Sequence, residues 1–130
     1  MHVIRLHGPW TLETGAGETR ESRRVHLPRE WSVVAEAATI SAVALVRRFH
    51  RPTGLEEGTR VGLAVPAGWP VHEIRVNGVQ LVDCLVGEKR VFDLSEIIRL
   101  REAHDLRVEF VRGAELKTQA YLVSMEIAEE

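Results

Sequence analysis

The sequence has a single cysteine, Cys84, among 130 residues. One thiol forms no disulfide within the chain, so nothing points to an oxidising compartment and the fold must close on its own core. Lysine is almost missing, present only at Lys89 and Lys117. Arginine carries the positive charge instead, and its planar head tolerates partial burial and bidentate pairing better than an ammonium does. Neither sign of charge dominates: 17 Lys plus Arg against 19 Asp plus Glu leave a net charge of -2. That balance speaks against a nucleic-acid partner, which needs a basic excess or stripe. The basic cluster Arg20, Arg23, Arg24 and Arg29 is diluted by Glu18, Glu21 and Glu30, and reads as a solvated edge. Long apolar runs are absent too. The longest, Ala42 to Val46, falls far short of the roughly 20 residues of a membrane span, so no membrane partner is expected. The opening Met1-His2-Val3-Ile4-Arg5-Leu6 lacks the basic start and apolar stretch of a signal peptide. The expectation is a soluble, cytoplasmic protein.

Motifs for chemistry are equally scarce. None of Ser22, Ser32, Ser41, Ser95 and Ser124 lies in G-x-S-x-G. The six histidines form neither H-x-H nor H-E-x-x-H, and the three aspartates form no oxygen-rich calcium loop. Gly15-Ala16-Gly17 lacks the lysine of a phosphate cradle. Cys84 follows Asp83, a neighbour that disfavours a thiolate, and reads as a small half-buried hydrophobe. No catalytic residue, metal or cofactor is therefore expected.

What the sequence does have is alternation. At 130 residues it reads as one domain, 1–130, large enough to bury about two-thirds of its unfolded surface. Val61, Leu63 and Val65 fall on one face of a strand that Pro66 closes. His72 to Val76 repeats the pattern. Asn77-Gly78 then signals a hairpin, because a type I′ turn needs positive φ at both positions, and Val79 to Val82 is the expected return strand. Leu106 to Phe110 and Tyr121 to Ile127 also alternate, while Val3 to Leu6, Trp10 to Glu13 and Arg24 to Leu27 are shorter candidates. Ser41 to Phe49 is longer. Val43, Leu45, Arg47 and Phe49 share one face, and Ala42, Ala44 and Val46 make the other partly apolar, which predicts a central strand covered on both sides. Trp31 to Ala38 predicts a short helix, and Ser95 to Arg99 a helical turn with Ser95 as N-cap. Eight or so short strands at this spacing predict an all-β fold, an antiparallel β-sandwich or barrel with one or two helical turns.

The succession Gly8-Pro9-Trp10, Val25-His26-Leu27-Pro28-Arg29-Glu30-Trp31, Val46-Arg47-Arg48-Phe49, Val76-Asn77-Gly78, Phe92-Asp93-Leu94-Ser95 and Leu106-Arg107-Val108 resembles one domain family. It is similar to the N-terminal sugar-binding-type domain of family 2 glycoside hydrolases, a jelly roll of the galactose-binding-like kind. Arg47-Arg48-Phe49 lacks the family's spacer residue, and Val76-Asn77-Gly78 is one residue tighter. The resemblance implies that Trp10 and Trp31 pack structurally and that Asp93 caps the turn anchored by Ile97 and Ile98. In that family the catalytic groups reside on a separate TIM barrel of about 250 residues, so the resemblance implies no hydrolysis by this chain.

Trp69 stands apart from the other aromatics. Phe49, Phe92, Phe110 and Tyr121 fit inward strand positions, but Trp69 lies in the loop Pro66-Ala67-Gly68-Trp69-Pro70. A tryptophan there can stack on the C–H face of a sugar ring or close one end of the core. With the resemblance it motivates a non-catalytic carbohydrate-binding module whose glycan meets Trp69, Arg48, His50 and His72. The alternative is a protein-interaction or assembly module with no sugar ligand, its partner another protein or a second copy, met through Ala42, Ala44 and Val46.

Overall fold

The computed structural model describes residues 2–15, 17–66, 69–111 and 123–128, which form eleven strands, one α-helix and two short 3-10 turns. In chain order these are β1 (His2–Arg5), β2 (Gly8–Thr14), β3 (Glu21–Leu27), α1 (Trp31–Ala38), β4 (Val43–His50), β5 (Arg60–Pro66), β6 (Val71–Val76), β7 (Val79–Gln80), β8 (Asp83–Val86), β9 (Lys89–Asp93), β10 (Ala103–Phe110) and β11 (Ser124–Ala128). One sheet has the order β1-β11-β5-β9-β8 and the other β3-β2-β4-β10-β6-β7, and every pairing is antiparallel. The fold is an all-β sandwich.

Strand alternation fills the space between the sheets. Leu12, Val43, Leu45, Phe49, Ile74, Val76, Leu106 and Val108 point inward from one sheet, and Val61, Leu63, Val65, Phe92 and Met125 from the other. Trp10 is buried, and its indole N–H donates to the Leu6 carbonyl at 2.9 Å, which satisfies the one polar atom it brings inside. Helix α1 bridges β3 and β4. Its buried residues Trp31, Val34 and Ala38 recur at helical spacing and make a single apolar stripe. Arg47 shares the inward face of β4, but its head escapes to the sheet rim. There it donates to the His7 carbonyl at 2.6 Å and lies over the Trp10 ring, and burial lowers its pKa.

Asn77 takes positive φ, 54°, and Gly78 follows at 81°, so the hairpin between β6 and β7 forms as the sequence predicts. The Asn77 side chain also ties this turn to β10. It accepts from the Asp105 amide at 2.9 Å and donates to Nδ1 of buried His104 at 3.0 Å. The Nε2 of His104 faces the carbonyls of Ile98 and Arg101, which assigns the ring proton to Nε2.

Three expectations need correction. Ser95 does not cap its turn: its hydroxyl accepts from the Val61 amide and donates to the Val61 carbonyl, while Asp93 accepts from the Ser95 amide. The return strand after Asn77-Gly78 ends at Gln80, because Leu81 turns into the core and the chain crosses to the other sheet. There it forms β8 and β9, which no alternation announced. Cys84 is exposed, since β8 is a sheet edge with nothing outside it among the described residues. Beyond these, Tyr121 and Leu122 of the last predicted strand lie outside the described residues.

Candidate functional site

The outer face of the six-stranded sheet carries an ordered lattice of charge. Cross-strand register places Glu13, Ala44, Glu109 and Glu73 side by side in one row, and Thr11, Val46, Arg107, Arg75 and Gln80 in the next. The rows are one side-chain repeat apart, so each arginine meets the carboxylate two residues away on its own strand, and Arg107 also reaches across β4 to Glu13. Arg107 donates to Glu13 at 2.6 Å and to Glu109 at 2.9 Å, and Arg75 pairs with Glu73 at 3.2 Å. Arg20 approaches Glu13 at 3.7 Å. The hydrogen bond from Arg107, aided by one from Glu73, holds the Glu109 carboxyl below its usual range against the opposing effect of burial.

This lattice covers Ala44 from within the chain. Strand β4 lies between β2 and β10, and the Arg107–Glu13 bridge spans it from one neighbour to the other. Ala44 is buried at 4% exposure beneath the chain's own side chains. At the end of the sheet where β2 and β10 finish and β4 and β6 begin lies a cleft of about 400 Å³. Arg20, Glu13, Arg107, Glu109 and His72 wall it, and Ala44 contributes to its floor. Its volume falls in the range of small-molecule sites.

The four residues singled out in the sequence sit at two ends of the sandwich. His72 is exposed at a β-bulge, where Glu109 faces Glu73 but Phe110 faces Val71, and it joins the cleft. Arg48 and His50 are exposed at the far end of β4, where Arg48 reaches Asp105 at 3.6 Å. His50 stands opposite Ala103 and Val71 opposite Phe110. That spacing along β10 amounts to roughly 23 Å at the usual strand rise. Trp69 lies near the His72 end but is only half exposed. Its ring stacks on Trp31 with centroids 4.8 Å apart and planes 14° apart, and Phe110 packs beside it at 6.0 Å. One face of the indole is therefore committed to the core.

The sequence does not single out Glu13, Arg107 and Glu109 as site residues, and Arg20 reads there as part of a solvated edge. Each looks like an ordinary outward residue until the register of four strands is known; the signal was only the alternation Arg107-Val108-Glu109. A second, larger cleft of about 830 Å³ crosses the outer face of the other sheet, with Arg5, His7, Lys89 and Ser124 on its walls. Lys89 there is engaged by Glu126 at 2.6 Å. Among the described residues no three His, Cys, Asp or Glu side chains come together in a way that would hold a metal ion, and no helix is long and apolar enough to cross a membrane.

No family model matches the sequence, and no curated relative matches it. Solved structures do match. An FMN-binding β-glucuronidase from Facaelibacterium prausnitzii L2-6 aligns with 98% of this chain at 21% identity and a TM-score of 0.69. A β-D-mannosidase from Dictyoglomus thermophilum aligns with 87% at 12% identity and 0.62. The β-glucuronidase of Bifidobacterium dentium, complexed with coumarin-3-O-glucuronide, aligns with 83% at 19% identity and 0.57. These are enzymes of glycoside hydrolase family 2, the group whose motifs the sequence resembles. At such identities the likeness is one of fold. This chain spans 22%, 16% and 20% of the three structures' lengths, so it corresponds to a part of each.

Proposed function

We propose that this chain is a non-catalytic carbohydrate-binding module whose ligand occupies the charged cleft walled by Arg107, Glu109, Glu13, Arg20 and His72. The cleft carries the reading: planar guanidinium and carboxylate groups can each engage two neighbouring sugar hydroxyls. The likeness to parts of a β-mannosidase and two β-glucuronidases supports a saccharide as the ligand class. Hydrolysis is left to other machinery, since a catalytic barrel takes about 250 residues and this chain has 130. Trp69 serves as a core lid in this reading, and Arg48 and His50 lie outside the site.

The test is calorimetric titration with glucuronate, mannose, galactose and glucose. At least one should bind with a Kd of about 1 mM or tighter, some 4 kcal/mol, and His72→Ala or Glu109→Gln should weaken it several-fold. Absence of binding to all four and to a wider glycan array would overturn the reading.

A protein-docking role is the second reading. It is favoured by the apolar segment around β8, where Val79, Val82, Leu85 and Val86 are 54%, 80%, 69% and 52% exposed. Concentrated apolar exposure of this kind marks association surfaces.

A further inference from the structure

Strand β8 is an edge whose free hydrogen-bonding groups are fixed by register. The Asp93 amide donates to the Val82 carbonyl, and Cys84 and Val86 face Val91 and Lys89. Backbone groups alternate in direction along an antiparallel strand. Val82, Cys84 and Val86 thus bond toward β9, and the N–H and C=O groups of Asp83 and Leu85 point outward with no strand beyond them among the described residues. Natural edges are usually protected by inward charge, lysine or proline. This one has no lysine or proline, and its one inward charge, Asp83 opposite buried Phe92, is held by Arg90 at 2.9 Å.

We infer that β8 is the pairing edge of a two-fold dimer, in which a second copy of this chain adds its own β8 antiparallel about an axis through Cys84. Three observations select that occupant and that register. Only an axis at Cys84 sets Asp83 opposite Leu85 of the second copy and Leu85 opposite its Asp83, so that all four outward residues bond. An axis at Asp83 would bring two carboxylates together, and one at Leu85 would leave Asp83 facing the Gly87 turn. With the axis at Cys84, Val82 of each copy faces Val86 of the other on the outer side of the sheet, which pairs the apolar side chains that are 80% and 52% exposed in the single chain. Such a self-complementary surface is what a two-fold interface requires. Cys84 then faces its own copy at a non-hydrogen-bonded position, about 4.5 Å between Cα atoms, inside the range of about 4.4–6.8 Å that a disulfide spans. Two five-stranded sheets become one continuous sheet. This inference rests on the docking reading and is independent of the sugar cleft on the opposite sheet.

Sedimentation equilibrium of the full chain from micromolar to millimolar concentration tests it, with far-ultraviolet circular dichroism as the control for folding. The mass should rise from 14.6 kDa toward twice that value. Val86→Lys and Val82→Lys, each at an exposed position, should keep the wild-type spectrum and remain monomeric throughout. Copper–phenanthroline, with dioxygen as oxidant, should link two wild-type chains through Cys84 and should fail to link either lysine variant, while Cys84→Ser should still dimerise. A monomer at millimolar concentration, a dimer unaffected by both lysine variants, or a dimer that Cys84 does not cross-link would each overturn the inference. A dimer lost in Val86→Lys with sugar affinity unchanged supports it, so the pairing and the cleft succeed or fail separately.

Discussion

Arg107 and Glu13 meet at 2.6 Å over the top of β4, although neither residue belongs to that strand. The bridge joins the two neighbours of the central strand and roofs its small residues. Because both side chains are less than a third exposed, at 27% and 19%, the contact keeps more of its strength than an open surface pair.

Removing both partners should cost less than the sum of removing each. A double-mutant cycle of Arg107→Ala and Glu13→Ala, read by urea denaturation, should give a coupling of about 1 kcal/mol. A coupling of zero would mean that the bridge does not hold the sheet.

Acid should weaken the fold in a defined window. The Glu109 carboxyl sits below its ordinary value of 4.5, chiefly through the Arg107 hydrogen bond. Burial pushes Asp93 upward, but hydrogen bonds from Ser95 and the charge of Arg60 outweigh it and leave that group below 3.8. A carboxyl depressed in the folded state adds stability above its unfolded pKa, and the contribution fades as pH falls through the folded one. Stability should therefore decline as pH drops below about 4.5. Glu109→Gln should flatten the upper part of that decline in thermal melts, and an unchanged slope would contradict the assignment.

Trp69 should matter for stability and not for sugar. Trp69→Ala removes a half-buried ring stacked on Trp31, at a cost of about 2 kcal/mol. Calorimetry should then show unaltered saccharide affinity. A several-fold loss of affinity at constant stability would restore Trp69 to the binding site.

Gly62 is constrained by packing. A Cβ there would lie 2.6 Å from Cγ1 of Val91 on the paired strand β9. Gly62→Ala should destabilise by about 1–3 kcal/mol through overpacking, and Val91→Ala in the same chain should recover part of the loss. Equal stability of Gly62→Ala and the parent would show that the two strands part freely.

Most of the sandwich was legible because alternation is a local signal. Val61, Leu63 and Val65, or Leu106, Val108 and Phe110, announce a buried face without reference to any neighbour, and Asn77-Gly78 announces its turn through backbone sterics alone. Strand β8 gave no such signal: as an edge it buries neither face, so Asp83-Cys84-Leu85-Val86 has nothing to alternate. Ser95 misled because its position beside Asp93 suits a cap, whereas its hydroxyl answers to Val61, far off in sequence. The cleft was illegible for a related reason. Glu13, Arg107 and His72 become neighbours only through strand order and the bulge at His72, neither of which one strand's pattern encodes. Of the four expected site residues, His72 alone reaches the cleft.

The most direct test of the sugar-binding account is a ¹⁵N-resolved NMR titration of the full chain with the best ligand from the calorimetric panel. The account predicts shifts concentrated on Glu13, Arg20, Ala44, His72, Arg107 and Glu109, saturating with a single Kd. Saturable shifts confined to Trp69, to the Arg48–His50 end, or to the Arg5 and Lys89 cleft would contradict it.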